Sequence, residues 1–219
     1  MISLMSIWRN DAEKQIHQRV EHLLAKQAYC HTMRWDWAVG DSTDATEEIL
    51  REYAAYDERI HVSRFDTGLP ESDVIEQRRL RSATTASDLL ATIPEDLAFV
   101  CWHESDLRSP RNVIDLLLAG SLPCAAWPII KLPTGTQFYD FWAYRDLGGG
   151  HIFNAPDNQR FEVSAFGSLW LAQAELMRGR RMNEEACVSL CKQWRSEGVR
   201  LWADPRIIVE QPVDLWEAR

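Results

Sequence analysis

The residues best suited to chemistry lie at the end of one apolar run. Asp96-Leu97-Ala98-Phe99-Val100-Cys101-Trp102 is β-prone, and it stops abruptly at His103-Glu104-Ser105-Asp106. Such a run reads as a buried strand of a parallel sheet. Ligands of open α/β sheets bind beyond the carboxyl ends of the strands. Residues i and i+2 of extended chain point to the same side. Glu104 and Asp106 are therefore placed to share one hard cation, which prefers oxygen ligands. The same residues also suit a plain polar strand end followed by a helix cap, and both readings stand at this point.

Two earlier strand ends have the same character. Ile2 to Trp8 reads as a strand leaving through Arg9 and Asn10, and Met33 to Val39 leaves through Gly40-Asp41-Ser42-Thr43-Asp44. In a parallel sheet all three ends share one rim. Trp8, Arg9, Asn10, Asp41 and Asp44 would then face a nucleotide. Asp41 suits a base N–H. Arg9 and one of Arg78 or Arg81 suit phosphate oxygens, which the forked guanidinium matches. Glu104 and Asp106 would repel a diphosphate directly, and a divalent cation bridging the two removes that conflict. Asp41, Ser42 and Asp44 equally fit a turn and helix cap. Arg78, Arg79 and Arg81 equally fit a solvated helix face.

The elements that must hold these ends alternate strand and helix. The patterning gives helices over about 12–26, with Asp11 as N-cap, and from about 46 to Tyr56. A third runs over 73–93, closed by Pro94. Ile60 to Phe65 is a third strand. Pro110 to Ala119 is a short helix and Cys124 to Ile130 an apolar strand. Gln137 to Tyr144 reads as an antiparallel strand, Gly148-Gly149-Gly150 as a flexible tract, and Phe161 to Ala172 as mostly strand. A helix capped by Asn183 runs to Ser196 and closes at Gly198. Val199–Trp202 and Ile207–Val209 are late strands, and Pro212 onward a tail.

The 219 residues, 46% hydrophobic and 26% charged, support one α/β domain. Residues 1–109 form its nucleotide-type half and 110–219 its acceptor-type half. The ten Trp read mostly as core, with some of that aromatic surface available to a binding cleft. A net charge of -9 argues against a general nucleic-acid surface, with Arg178, Arg180 and Arg181 as a local exception. Five scattered Cys without a CxxC pair read as reduced thiols and a cytoplasmic setting. No apolar stretch is long enough for a membrane span.

"SIWRNDAE" at 6–13, "GDSTDAT" at 40–46 and "WHESD" at 102–106 resemble, in that order, the motifs of GT-A fold glycosyltransferases. The nearest likeness is to the fungal mannan-polymerase mannosyltransferases. "VSAFGSLWLAQAEL" at 163–176 and "SEGVRLWADPRIIVEQP" at 196–212 extend it across most of the chain. The resemblance implies a Rossmann-like nucleotide-binding half, a mixed central sheet and flanking helices. It implies Mn²⁺ or Mg²⁺ as cofactor and a UDP- or GDP-sugar as donor. Asp106 becomes the metal-binding acid, Glu104 the first acid of the motif, Asp41 a base contact and Arg9 a nucleotide contact. The motif is E-x-D rather than D-x-D. Gln211 falls where many relatives have a metal-ligating His, with His151 as another source of that ligand. Glu162 is the candidate base or acceptor contact.

The expected activity is hexosyl transfer to an acceptor hydroxyl on a glycan, a protein or a modified DNA base. Retaining and inverting chemistry both stay open, the likeness leaning to retention. A non-catalytic nucleotide-sugar-binding module on a degenerate GT-A scaffold is the alternative.

Overall fold

A computed structural model describes residues 1–11, 15–70, 74–132, 135–138, 140, 142–155 and 157–212. The strands are β1 (Ile2–Trp8), β2 (Met33–Gly40), β3 (Ile60–Phe65), β4 (Phe99–His103), β5 (Cys124–Leu132), β6 (Gly135–Phe138), β7 (Phe161–Val163), β8 (Leu169–Gln173) and β9 (Leu201–Gln211). The helices are α1 (Ile16–Leu24), α2 (Thr46–Tyr56), α3 (Ile75–Leu90), α4 (Val113–Leu118) and α5 (Cys187–Ser196).

All nine strands join one sheet, in the order β3-β2-β1-β4-β8-β5-β9-β7 with β6 beside β5. The β3-β2-β1-β4 part is parallel, as the alternation of strand and helix requires. β8 runs antiparallel to both β4 and β5, and β9 is parallel to β5. β4, β5 and β9 therefore point the same way, and the end of β9 reaches the rim where β1, β2 and β4 end. Strand order reverses at β1, between β2 and β4, which is where a doubly wound sheet opens its crevice.

Both faces of the sheet are covered. Ile16, Val20 and Leu23 of α1, Leu50 of α2 and Val113, Ile114 and Leu117 of α4 pack on one face. Ala83, Ala86, Leu89 and Leu90 of α3 pack on the other, with Leu190, Cys191 and Trp194 of α5 and with Tyr144 and Ile152. The central strands are buried on both sides, which explains their near-continuous apolar runs.

Several expectations change. α1 is described from Ile16, and the Asp11 carboxylate accepts the Arg9 amide at 3.0 Å and Arg19 at 2.7 Å; residues 12–14, on which an Asp11 cap would fall, lie outside the described residues. The strand expected over 137–144 ends at Phe138, and residues 142–143 form a turn; 139 and 141 lie outside the described residues. Phe161 to Ala172 is two strands far apart in the sheet, β7 at its edge and β8 inside it. The two late strands are one, β9, with a register shift opposite Ala126 and Trp127. The Gly148–Gly150 tract is a closed turn: Asp146 accepts the Gly150 amide at 2.8 Å and returns its own amide to the Gly150 carbonyl at 2.9 Å. The tail from 213 lies outside the described residues.

Candidate active site

The rim gathers the carboxyl ends of β1, β2, β4 and β9. At the β1 end Asn10 takes a left-handed conformation, φ 49°, which Asn tolerates better than most residues. Its carbonyl oxygen accepts the Thr43 amide at 2.9 Å and its own amide donates to Ser42 Oγ at 3.1 Å. Asn10 thus ties the β1 exit to the β2 exit. Arg9 is half-buried beside it. Trp8 is corrected: it is fully buried against Trp37, ring centroids 5.8 Å apart, so its ring serves the core and no nucleotide.

At the β2 end Asp41 accepts the Thr67 amide at 2.8 Å and hydroxyl at 2.5 Å, and it pairs with Arg81 at 3.3 Å. Arg81 is only 3% exposed and reaches the carbonyls of Leu69, at 3.4 Å, and Pro70. The sequence left Arg81 as a phosphate ligand; the fold uses it to hold the 66–70 loop against α3. Asp44 accepts the Thr46 amide at 3.0 Å, the turn-and-cap role that its type also allowed. Arg78 lies exposed on the first turns of α3.

At the β4 end the chain turns sharply. The Leu107 amide donates to the Glu104 carbonyl at 3.2 Å, and the Glu104 amide to the Ser168 carbonyl at 3.2 Å. Arg108 exchanges backbone hydrogen bonds with Glu210, at 2.8 and 2.7 Å, which seats the turn beside the end of β9. Gln211 Nε2 then donates to Asp106 Oδ2 at 3.1 Å. Residues 105 positions apart in the chain meet at one point of the rim. Gln211 is fully buried, and its Oε1 has no hydrogen-bond partner.

That orphaned carbonyl oxygen bears on the metal. Amide orientation is set by partners, so a cation beside Asp106 would draw Oε1 toward it. No group of three His, Cys, Asp or Glu able to hold a metal occurs among the described residues. Small hard cations such as Mg²⁺ are commonly held by one or two carboxylates plus substrate phosphates. Glu104, Asp106 and the Gln211 carbonyl, all oxygen donors, fit that mode. His151 does not join them: its Nε2 accepts Arg145 at 2.9 Å, and Arg can only donate.

Beneath the turn lies a buried polar network. Lys26, 1% exposed, donates to the Ser109 carbonyl at 2.7 Å and to His22 Nε2 at 2.8 Å. His103 Nδ1–H donates to the Glu104 carbonyl at 2.7 Å, and Ser109 Oγ donates to His103 Nε2 at 2.8 Å. Burial, with Lys26 second, pushes His22 down to about 4. Burial pushes Lys26 down to about 8 and His103 down to about 3. Both rings are neutral at pH 7, which fixes the His103 tautomer.

The other flank of the turn carries a residue that the sequence reading missed. Asp140 accepts the Ser168 hydroxyl, and Ser168 is the residue whose carbonyl holds the Glu104 amide. Burial pushes the Asp140 carboxyl up to about 6, with Ser168, Ala143 and Arg79 partly opposing. A buried carboxyl raised toward neutrality is a mark shared by functional groups and structural hydrogen-bond acceptors. The signal was visible: a lone acid inside the aromatic run Phe138-Tyr139-Asp140-Phe141-Trp142.

Glu162 is corrected as well. On β7 it pairs with Trp202, near the start of β9, while Gln211 ends that strand. Glu162 therefore lies at the β7 edge of the sheet, level with Cys101 in the middle of β4 and far along β9 from Gln211. Arg200, at 2.8 Å, holds its carboxylate below the usual range, with Arg195 adding to this. It has neither the position nor the basicity of an acceptor base.

No family model matches the sequence, and no curated protein matches it. Solved structures do match. GalNAc-T7, crystallised with UDP, GalNAc and Mn²⁺, aligns over 97% of this chain with a TM-score of 0.63 and 13% identity. The mannosyltransferase PcManGT from Pyrobaculum calidifontis, in complex with GDP-Man and Mn²⁺, aligns over 95% with a TM-score of 0.61 and 14% identity. Residues 1–349 of S. aureus TarS align over 96% with a TM-score of 0.57 and 13% identity. The matched part is 44%, 56% and 60% of those chains respectively, so this chain spans about half their length. Such low identity carries the fold alone, and that fold, a mixed sheet flanked by helices with a parallel nucleotide-type half, is GT-A.

Proposed function

We propose that this chain is a metal-dependent glycosyltransferase that moves a sugar from a UDP- or GDP-sugar to an acceptor hydroxyl. One observation carries the reading: Gln211 meets Asp106 beside Glu104, at the rim where a GT-A sheet opens. Asp106 and Glu104, with the Gln211 carbonyl after reorientation of its amide, would hold Mn²⁺ or Mg²⁺, an ion that when bound would offset the charge of the diphosphate leaving group. Arg9, Asn10 and Asp41 line the nucleotide side, and Arg78 faces the phosphates from α3. The likeness of the motif order to the mannan-polymerase mannosyltransferases favours a hexose donor. Two of the matched proteins were crystallised with nucleotides or nucleotide sugars and Mn²⁺, which is consistent with it.

The test is donor hydrolysis and transfer with Mn²⁺ in wild type and Asp106→Ala. A loss of about a hundredfold or more is expected, in line with removing electrostatic stabilisation of a leaving group. Equal turnover in both proteins would sink the assignment of Asp106. The acceptor is a glycan, a protein or a hydroxylated DNA base. A DNA acceptor predicts activity falling steeply with salt, whereas the other two predict a shallow dependence.

A second reading has its own support. Among the described residues the site lacks a third acid or His ligand, and Gln211 stands in that place. This is what a binding module on a degenerate scaffold would show. Calorimetry giving donor binding with no hydrolysis and no transfer would select it.

A further inference from the structure

Resting on the reading of Glu104 and Asp106 as a metal site, we propose that Gln211 sets the ion choice of that site. Its amide guards Asp106 when no cation is present and turns over to admit one. It favours hard, oxygen-preferring ions such as Mg²⁺ over nitrogen-preferring ions such as Zn²⁺.

The backbone of Gln211 is held from two sides. Gln211 pairs with Ile130 of β5, and Glu210 exchanges backbone hydrogen bonds with Arg108 of the turn after β4. The side chain is fully buried, so a side-chain torsion is the motion left to it. Adjacent residues of a strand point to opposite faces, and Glu210 is paired with Lys131 at 2.6 Å. Gln211 is thus the side chain that β9 brings to Asp106.

Chemistry fixes how the amide lies. A carboxylate only accepts, so Nε2 is the atom that faces Asp106 Oδ2, at 3.1 Å. Oε1 then sits in a buried slot with no hydrogen-bond partner. Most buried side-chain oxygens are paired, and the exception matters here. Turning the amide over breaks no hydrogen bond at its buried end, so the choice between the two orientations is made at the Asp106 end. A bare carboxylate draws Nε2. A cation on that carboxylate repels the N–H donor and draws Oε1.

The surroundings also select the ion. Carboxylate and carbonyl oxygens suit Mg²⁺, Ca²⁺ and Mn²⁺, whereas Zn²⁺ prefers imidazole nitrogen and thiolate. The accepting ring nitrogens of this region are in use. His22 Nε2 accepts Lys26 and the Ser109 amide, and His103 Nε2 accepts the Ser109 hydroxyl. His151 Nε2 accepts Arg145. What Gln211 adds beside the two acids is one more hard oxygen.

The experiment follows the Gln211 side-chain amide by proton–nitrogen correlation NMR, assigned by its loss in Gln211→Met, as MgCl₂ is added with and without UDP or GDP. Calorimetry gives Mg²⁺ and Zn²⁺ affinities for wild type, Gln211→Met, Gln211→His and Asp106→Asn. Mg²⁺ should move the wild-type Gln211 amide signals, and Asp106→Asn should abolish both binding and movement. Gln211→Met should weaken Mg²⁺ about tenfold or more, since even the outer partners of metal ligands are worth that much. Gln211→His should raise the ratio of Zn²⁺ to Mg²⁺ affinity by about the same factor. The wild-type NMR titration needs no variant to fold. Mg²⁺ binding that is lost in Asp106→Asn, yet leaves the Gln211 signals unmoved, overturns the proposal and leaves the metal site standing. An unchanged ratio in a folded Gln211→His also overturns it. No ion bound by wild type, with or without nucleotide, defeats the metal reading itself.

Discussion

The α1 flank of the Glu104–Asp106 turn directs its polar groups inward, whereas the β8 flank directs large aromatic rings out to solvent. Lys26, His22, His103 and Ser109 satisfy one another under the turn. Asp140 and Ser168 steady it from the other side, and Trp142 and Phe153 stand beyond them in water. Both flanks use hydrogen bonds to hold the same few residues. The difference lies in what the remaining surface does. A network closed on itself contributes position and little else. The β8 flank contributes position while leaving Trp142 53% and Phe153 61% exposed.

The largest break in this comparison is expected from Lys26→Ala. It removes the donor to the buried Ser109 carbonyl and leaves a gap beneath the turn. A loss of about 2–4 kcal/mol is expected. At about 2–4 °C per kcal/mol for a chain of this size, the melting midpoint falls by roughly 5–15 °C. Calorimetry checks it, and an unchanged midpoint would mean that the α1 flank holds nothing.

Gly167→Ala attacks the opposite flank. With no room for a Cβ between Ala143 and Asp140, the 140–143 segment must shift. Overpacking of this kind costs about 1–3 kcal/mol. The melting midpoint should fall by less than for Lys26→Ala, and calorimetry on the two variants side by side checks it.

The flanks should also respond to acid differently. His22 has its folded pKa depressed from 6.5 to about 4 by burial, then by Lys26 and Arg108. Between these values the unfolded chain binds a proton that the folded chain refuses. Its contribution is therefore full above pH 6.5 and is lost as pH falls toward 4. The midpoint should drop by a few degrees across that window, and His22→Gln should reduce the drop, with the part due to His103 remaining.

Asp140 has the opposite sign. Burial raises its folded pKa from 3.8 to about 6. The folded chain holds the proton that the unfolded chain has released, so stability declines as pH rises from 3.8 to about 6. Asp140→Asn keeps an acceptor for Ser168 and removes the charge. It should raise the midpoint by a degree or two above pH 6 and change nothing near pH 3.5. A uniform fall at every pH would instead mark Asp140 as purely structural.

Much of the fold was legible in order. Ile2–Trp8 and Ile60–Phe65 have the bounds that their apolar patterns indicate, and Met33–Gly40 runs one residue further. Helix ends were less legible where a cap was read from residue type: Asn183 accepts the Glu185 amide in a turn, and α5 begins only at Cys187. The region from 137 to 172 was the hardest, because aromatic residues suit a strand and a packed turn equally. There the choice falls to contacts distant in sequence, such as Tyr144 on Ala126 and Asp140 on Ser168.

By itself the sequence determined which strand ends are polar and that three of them share a rim, because alternating strand and helix forces parallel pairing. It also determined that Glu104 and Asp106 are a pair of acids at the third of those ends. Only the tertiary structure decided that Gln211 joins Asp106, that Glu162 lies at the β7 edge away from that meeting point, and that Trp8 and Arg81 are spent on packing and loop support. The physical reason is the direction of β8. An antiparallel strand between β4 and β5 sets which end of β9 arrives at the rim, and strand direction leaves no mark on a local pattern of apolar and polar residues.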